Sequence, residues 1–266
     1  MKESSRNMIG ILDGGIEGYQ LFEKIVDKFP NQSFVYINDL LHYPYGDDND
    51  ENAFYINSMV NQLLNYGCNL IICVNAYLSI KFRDVFLEMK DLKIIHLSDL
   101  IIDFVNRNYS KKELVLLGKS TVLKENYFQK RLNYNHLYNL ASDELENIII
   151  NKQTKTSLSF NKTKETFKII NGRTIDLLIY FDSYLDELYL EFKEYIKQIP
   201  KINLLQVIYD ELVAHDILFM VDKKQKVIIA SSVTKKEFNN VICKKNKYNF
   251  ITYVTNFVKE VKDDKE

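Results

Sequence analysis

The sequence has no tryptophan, three prolines and eight glycines in 266 residues, and it holds no low-complexity segment. Cysteine is as scarce. Cys68, Cys73 and Cys243 are an odd number without regular spacing, which argues against a disulfide framework and for a reducing, cytoplasmic setting. No apolar run approaches the roughly 18–20 residues that span a bilayer, and the polar Met1–Arg6 segment is too short for a secretory signal. Neither charge sign is in excess: the net charge is −1 and the pI near 6.5. That gives no electrostatic argument for nucleic acid or an anionic membrane. The four histidines, His42, His96, His136 and His215, have no metal-ligand spacing, so no metal is expected. A phosphate-binding Walker loop and a Gly-x-Ser-x-Gly elbow are both missing. The acidic run Asp47-Asp48-Asn49-Asp50-Glu51 lacks calcium-loop spacing and reads as a solvated loop; Lys244-Lys245-Asn246-Lys247 and the charged C-terminus read as solvated surface.

What is present is an ordinary globular composition, 46% hydrophobic and 27% charged, in a length that suits one large domain or two of about 100–150 residues. The abundance of Lys, Asn and Ile is a codon signature and says nothing of mechanism. Met8 to Leu12 is an apolar strand running into Asp13-Gly14-Gly15. Apolar spacings of one, three and four predict a helix over 19–29, stopped by Pro30-Asn31. Strands follow at 33–37, 70–74 and 92–97, with helices at 54–66 and 79–89 and a turn at Pro44-Tyr45-Gly46. The alternation then restarts. Strands are expected at 114–118, 174–180 and 227–230, helices at 123–132, 142–150, 184–199 and 235–241, and a strand–helix step at 202–217. Strand–helix alternation predicts an α/β fold of mostly parallel sheets flanked by helices. Two rounds of it, from near 8 and near 114, predict two pseudo-symmetric halves with a cleft at the carboxyl ends of the strands. The expected halves are 1–98 with 210–266, and 99–209.

Five segments carry a family resemblance. The first is Asp13-Gly14-Gly15-Ile16-Glu17-Gly18, where Gly14 replaces a serine and Glu17 a glycine of the motif Asp-Ser-Gly-x-Gly-Gly. The second is Asn38-Asp39 followed by an intact Pro44-Tyr45-Gly46, the most specific match. The third is Val74-Asn75-Ala76-Tyr77-Leu78 against Cys-Asn-Thr-Ala-Ser. The fourth is Gly118-Lys119-Ser120-Thr121-Val122 with Tyr127. The fifth is Phe181-Asp182-Ser183-Tyr184-Leu185-Asp186 against Gly-Cys-Thr-His-Tyr-Pro. In this order they resemble glutamate racemases, of the aspartate/glutamate racemase superfamily. The resemblance implies no cofactor and catalysis by two cysteines, one on each face of the substrate.

Both cysteine positions differ here: Val74 and Asp182. Racemisation needs a base on one face of the α-carbon and an acid on the other, and Val74 can be neither. Cys73 lies next to it, but a one-residue shift along a strand points the thiol to the opposite face, so Cys73 reads as a buried structural residue. Asp182 is open to two readings, a base in one-sided proton chemistry or, with Ser183, the N-cap of the following helix. Asp13 is equally open, as an acid–base partner of Asp182 or an ordinary strand-end carboxylate. Ala76 and Gly14 lack substrate-binding hydroxyls, and Tyr77 adds bulk. Gly14, Pro44, Tyr45, Gly46, Asn75, Ala76, Thr121, Ser183 and Tyr184 are the candidate binding residues, with the Gly14-Gly15 turn offering helix N-terminal amides to a carboxylate. The expectation is a glutamate racemase-like protein without racemase activity that retains a cleft for a small carboxylate or amino acid. An isomerase or lyase using Asp182 and Asp13 is the enzyme alternative. A protein-contact or regulatory role, such as the DNA gyrase inhibition known for some glutamate racemases, is the other, by analogy. A homodimer is compatible with all three.

Overall fold

The computed structural model describes residues 8–45, 49–89, 92–214, 224–242 and 244–253. Gly46, Asp47, Asp48, His215, Cys243 and the residues flanking 8–253 lie outside the described residues.

Short continuous apolar runs make the first sheet. Strands β1 (Met8–Leu12), β2 (Phe34–Asn38) and β8 (Val227–Ser231) are buried at every position, as expected of strands covered on both faces. With β3 (Cys68–Cys73), β4 (Lys93–His96) and β9 (Asn249–Thr252) they form a six-stranded sheet in the order β4-β3-β1-β2-β8-β9, every pairing parallel. The second sheet holds β5 (Lys112–Gly118), β6 (Tyr134–Ala141) and β7 (Leu177–Tyr180), parallel in the order β6-β5-β7. The expected α/β class of two mainly parallel sheets flanked by helices is what the chain forms.

Helices join the strands. Helix α1 (Tyr19–Lys28) buries Leu21, Phe22, Ile25 and Val26, one stripe at helical spacing. Then come α2 (Asn49–Asn65), α3 (Ala76–Lys81), α4 (Arg83–Leu87), α5 (Leu97–Asn108), α6 (Ser120–Lys124), α7 (Tyr127–Arg131), α8 (Asp143–Ile150), α9 (Ser157–Thr166), α10 (Tyr189–Tyr195), α11 (Leu204–Ala214) and α12 (Lys235–Val241). A 3-10 segment, Ser183–Leu188, precedes α10.

Several expectations needed correction. The 79–89 and 123–132 helices are each two short helices, because Phe82 and Asn126 break the turn; Asn126 sits at a φ of 56°. Residues 184–199 begin as a 3-10 segment. At 202–217 no strand forms among the described residues: Lys201 makes an isolated bridge to Leu178 and α11 follows directly. Strands β6 and β9 and helices α5 and α9 were not foreseen. The burial of β6 is irregular and β9 is largely exposed, so neither shows a clean period.

One apolar core packs the α1 and α5 side of the first sheet and continues through the second sheet, with Ile11, Phe22, Val74, Ile101, Leu116, Ile179 and Tyr184 in one cluster. A second core lies on the other face of the first sheet, with Leu12, Ile37, Met59, Leu63, Cys73 and Phe82.

Candidate functional site

The carboxyl ends of β1, β3, β5 and β7 bring together the turn 13–18, Val74-Asn75, Lys119 and Asp182-Ser183-Tyr184. That junction is where an α/β fold usually binds ligands. Asp13 is fully buried at the end of β1. Its Oδ2 accepts from Gly18 N at 2.7 Å and from the Tyr36 hydroxyl at 2.8 Å, and its Oδ1 from Asn75 Nδ2 at 3.0 Å. Asn75 caps α3, its Oδ1 accepting from Leu78 N at 3.0 Å, which turns its amide nitrogen towards Asp13 and towards Glu17 Oε2 at 3.2 Å. The turn is tightly packed. A Cβ on Gly14 would lie 2.6 Å from the Tyr43 ring, and one on Gly18 2.1 Å from Val74 Cγ2, so only glycine fits either position.

Charge concentrates here. Glu17 Oε1 is 2.5 Å from Lys119 Nζ, and the same ammonium is 2.7 Å from Glu146 Oε1. This ion pair links the turn after β1 to the end of β5, one sheet to the other. Burial pushes the Glu17 carboxyl up, but the Lys119 charge and the hydrogen bonds from Lys119 and Tyr43 hold it below its ordinary value. Lys119 is correspondingly raised, the carboxylate of Glu17 outweighing the cost of burial. Burial and the Glu17 charge lift Asp13 to about 7. Asp182 is 3% exposed, and its Oδ2 has no hydrogen-bond partner. Burial raises it well above the usual carboxylate range, with Lys119 pulling down and Glu17, Glu146 and Asp13 pushing up. At neutral pH Glu17 and Lys119 are therefore charged and Asp13 is divided between its two states, while burial biases Asp182 towards its protonated form.

Val74 and Asp182, the residues that the sequence resemblance sets against the two racemase cysteines, are both buried, at 1% and 3%. Cys73 is oriented as strand alternation requires: it packs in the core on the opposite face of the sheet from Val74. Its Sγ lies 3.6 Å from Asn75 O, and burial pushes the thiol up to about 12. Such a thiol is neither nucleophile nor base at neutral pH.

Of the sequence-derived residues, the structure gathers Asp13, Gly14, Val74, Asn75, Ala76, Asp182, Ser183 and Tyr184 into this buried set. Tyr45 is buried instead in the second core, Pro44 and Thr121 are exposed, and Gly46 lies outside the described residues. Two local expectations are corrected. Neither Asp182 nor Ser183 caps the following helical segment through its side chain. The Ser183 hydroxyl donates to Glu17 O at 2.7 Å and accepts from Leu21 N at 3.1 Å, and Ser183 N donates to Glu17 O at 2.8 Å. The turn at Gly14-Gly15 is covered by the Tyr43 ring, and the amide at the start of α1, Gly18 N, is taken by Asp13. Sequence reasoning missed Lys119, Glu146 and Tyr43, and saw Glu17 only as a substitution. The signal was a carboxylate where the resemblance expects glycine. Among the described residues no group of three or more His, Cys, Asp or Glu is placed to hold a metal ion, and no helix is long and apolar enough to cross a membrane.

Solved structures share this architecture. A glutamate racemase from Bacillus anthracis superposes with a TM-score of 0.81 over 96% of this chain and 99% of its own, at 17% identity. The Francisella tularensis glutamate racemase in complex with D-glutamate gives 0.78 over 95% and 98%, at 13% identity. The chain thus has the two-domain racemase fold. Its sequence relatives agree: the Lactobacillus acidophilus glutamate racemase is 24% identical over 194 residues, 71% of this chain and 72% of that protein. The Halothermothrix orenii glutamate racemase is 30% identical over 121 residues, 45% of this chain and about half, 47%, of that relative's length. No family model matches the chain. Together the sequence relatives and the fold support its place in the aspartate/glutamate racemase superfamily.

Proposed function

We propose that this chain is a racemase-fold protein without amino-acid racemase activity. The reading is carried by Val74 and Asp182, which the resemblance sets at the two thiol positions of the family and which are both buried beside the Glu17–Lys119 pair that joins the two sheets. A side chain with no titratable proton on one face leaves two-base inversion without its second base. The Francisella tularensis relative binds D-glutamate. Here Glu17 already pairs with the Lys119 ammonium, and the other buried carboxyls beside it, Asp13 and Asp182, offer no cation, so the carboxylates of a glutamate would find no unpaired positive charge there. The protein then acts in the cytoplasm through contacts with a partner, with halves 1–98 plus 210–266 and 99–209.

A second reading keeps chemistry. Asp13, at about 7, is poised near working pH for a general base. With Asp182, whose carboxyl burial raises well above its ordinary range, it would support a one-base lyase or isomerase reaction on a small carboxylic acid. Incubation with L- and D-glutamate in deuterated water separates these readings. No α-proton exchange is expected; exchange without inversion supports the one-base enzyme, and exchange with inversion overturns both.

A further inference from the structure

Glu17 occupies a position where the resembling motif has glycine, and its side chain reaches Lys119 and Asn75 at the junction of the two sheets. Its carboxylate is 3% exposed and is held on both oxygens, by Lys119 Nζ at 2.5 Å and Asn75 Nδ2 at 3.2 Å, with the Tyr43 hydroxyl adding a third hydrogen bond. These donors come from three separate segments and both sheets. They converge as donors do in a site built for a carboxylate ligand. The Glu17 backbone is fixed independently, its carbonyl accepting from the Ser183 amide and hydroxyl. So the turn does not need the carboxylate to hold its place.

We infer that the cleft is a carboxylate-binding site occupied in cis. Glu17 is a ligand tethered by two methylenes, and the donors beneath it take a small monocarboxylate when the tether is cut. The inference rests on the reading of a closed, inactive cleft. Tethering gives Glu17 an effective concentration that free carboxylates do not match, so the wild-type chain should ignore them.

The test is chemical rescue. In Glu17→Ala, Lys119 keeps Glu146 and Asn75 keeps Asp13, but both lose the Glu17 carboxylate, and the vacated space admits acetate. Sodium acetate at tenfold its Kd should raise the unfolding midpoint by about 3–6 °C over sodium chloride at equal ionic strength. The rise should saturate, be absent in the wild type, and vanish when Lys119→Met is added. Should the alanine variant not fold in chloride, refolding yield from urea is read instead, in it and in Glu17→Gly, and recovery in acetate alone supports the tethered ligand. Equal behaviour in acetate and chloride overturns it. That result leaves inactivity standing, since inactivity depends on Val74 and Asp182. Exchange of the α-proton with inversion by the wild type overturns inactivity itself.

Discussion

Replacing Asp182 by asparagine should change the way stability depends on pH. The side chain is 3% exposed with an unpartnered Oδ2, and burial first, then the carboxyls of Glu17, Glu146 and Asp13, raise it well above its ordinary value against the pull of Lys119. In the unfolded chain it ionises near 3.9. Between those two values the folded protein keeps a proton that the unfolded chain has released, so stability falls as pH rises. The contribution is complete below about pH 3.9 and is lost on the way up to the folded pKa, at about 1.4 kcal/mol for each pH unit. Asparagine cannot ionise and has no such slope. Its buried amide costs about 1–3 kcal/mol at every pH, an offset rather than a slope. The stability of Asp182→Asn minus that of the wild type should therefore climb from pH 5 towards the folded pKa by about 1.4 kcal/mol for each pH unit, or about 3–6 °C in midpoint per unit. Asp13 titrates in this window in both proteins and largely cancels in the difference. Urea unfolding followed by far-UV circular dichroism at pH 5, 6 and 7 measures the slope. A difference that stays constant across those three values would mean that Asp182 is ionised in the folded protein.

Lys119→Met should cost about 3–5 kcal/mol by stranding buried Glu17, whereas Lys119→Met with Glu17→Gln should recover most of that loss; denaturant titration of both gives the coupling, and additive costs would sink the account. The Glu17 contribution, with its folded pKa below the unfolded one, is present above about pH 4.5 and should be lost on acidification through the folded value, visible as a steeper acid limb in the wild type than in the double variant. Ser183→Ala removes one hydroxyl that both donates to Glu17 O and accepts from Leu21 N, and should lower stability by about 1–3 kcal/mol; amide exchange at Leu21 should quicken while Val115 in the sheet stays protected. Cys68 and Cys73, both buried with thiols pushed up to about 12, should react with a thiol reagent only on unfolding when Cys243 is replaced by serine; stoichiometric labelling of the native protein would contradict their burial.

The fold was legible because its central strands are unbroken apolar runs closed by Gly or Asp, and because Tyr19 to Phe29 keeps a helical stripe. The opposed orientation of Cys73 and Val74 was legible from strand alternation alone. The site was legible only along the chain. Asp13, Asn75 and Asp182 each stand at a strand end, but Lys119 meets Glu17 across 102 positions and Glu146 across 27, and no local pattern encodes that pairing. Charged residues read as solvated surface by default, so the buried ion pair was hidden in plain composition. Tyr43 was passed over beside Pro44-Tyr45-Gly46 for a similar reason: its role is to cover Gly14 and Gly15, a contact visible only in three dimensions.

The apolar cluster that contains Val74 does not stop at the boundary between the sheets. It runs from Ile11 and Phe22 through Ile101 and Val105 to Leu116, Ile179 and Val207. Most two-part chains can lose one part and keep the other folded, because few side chains are shared between them. Among the described residues there is no such seam: separating the parts would uncover Ile101, Val105 and Leu116 together. Unfolding should accordingly be a single cooperative transition, with calorimetric and van't Hoff enthalpies equal, and harmful substitutions in either half should register as a loss of the whole molecule.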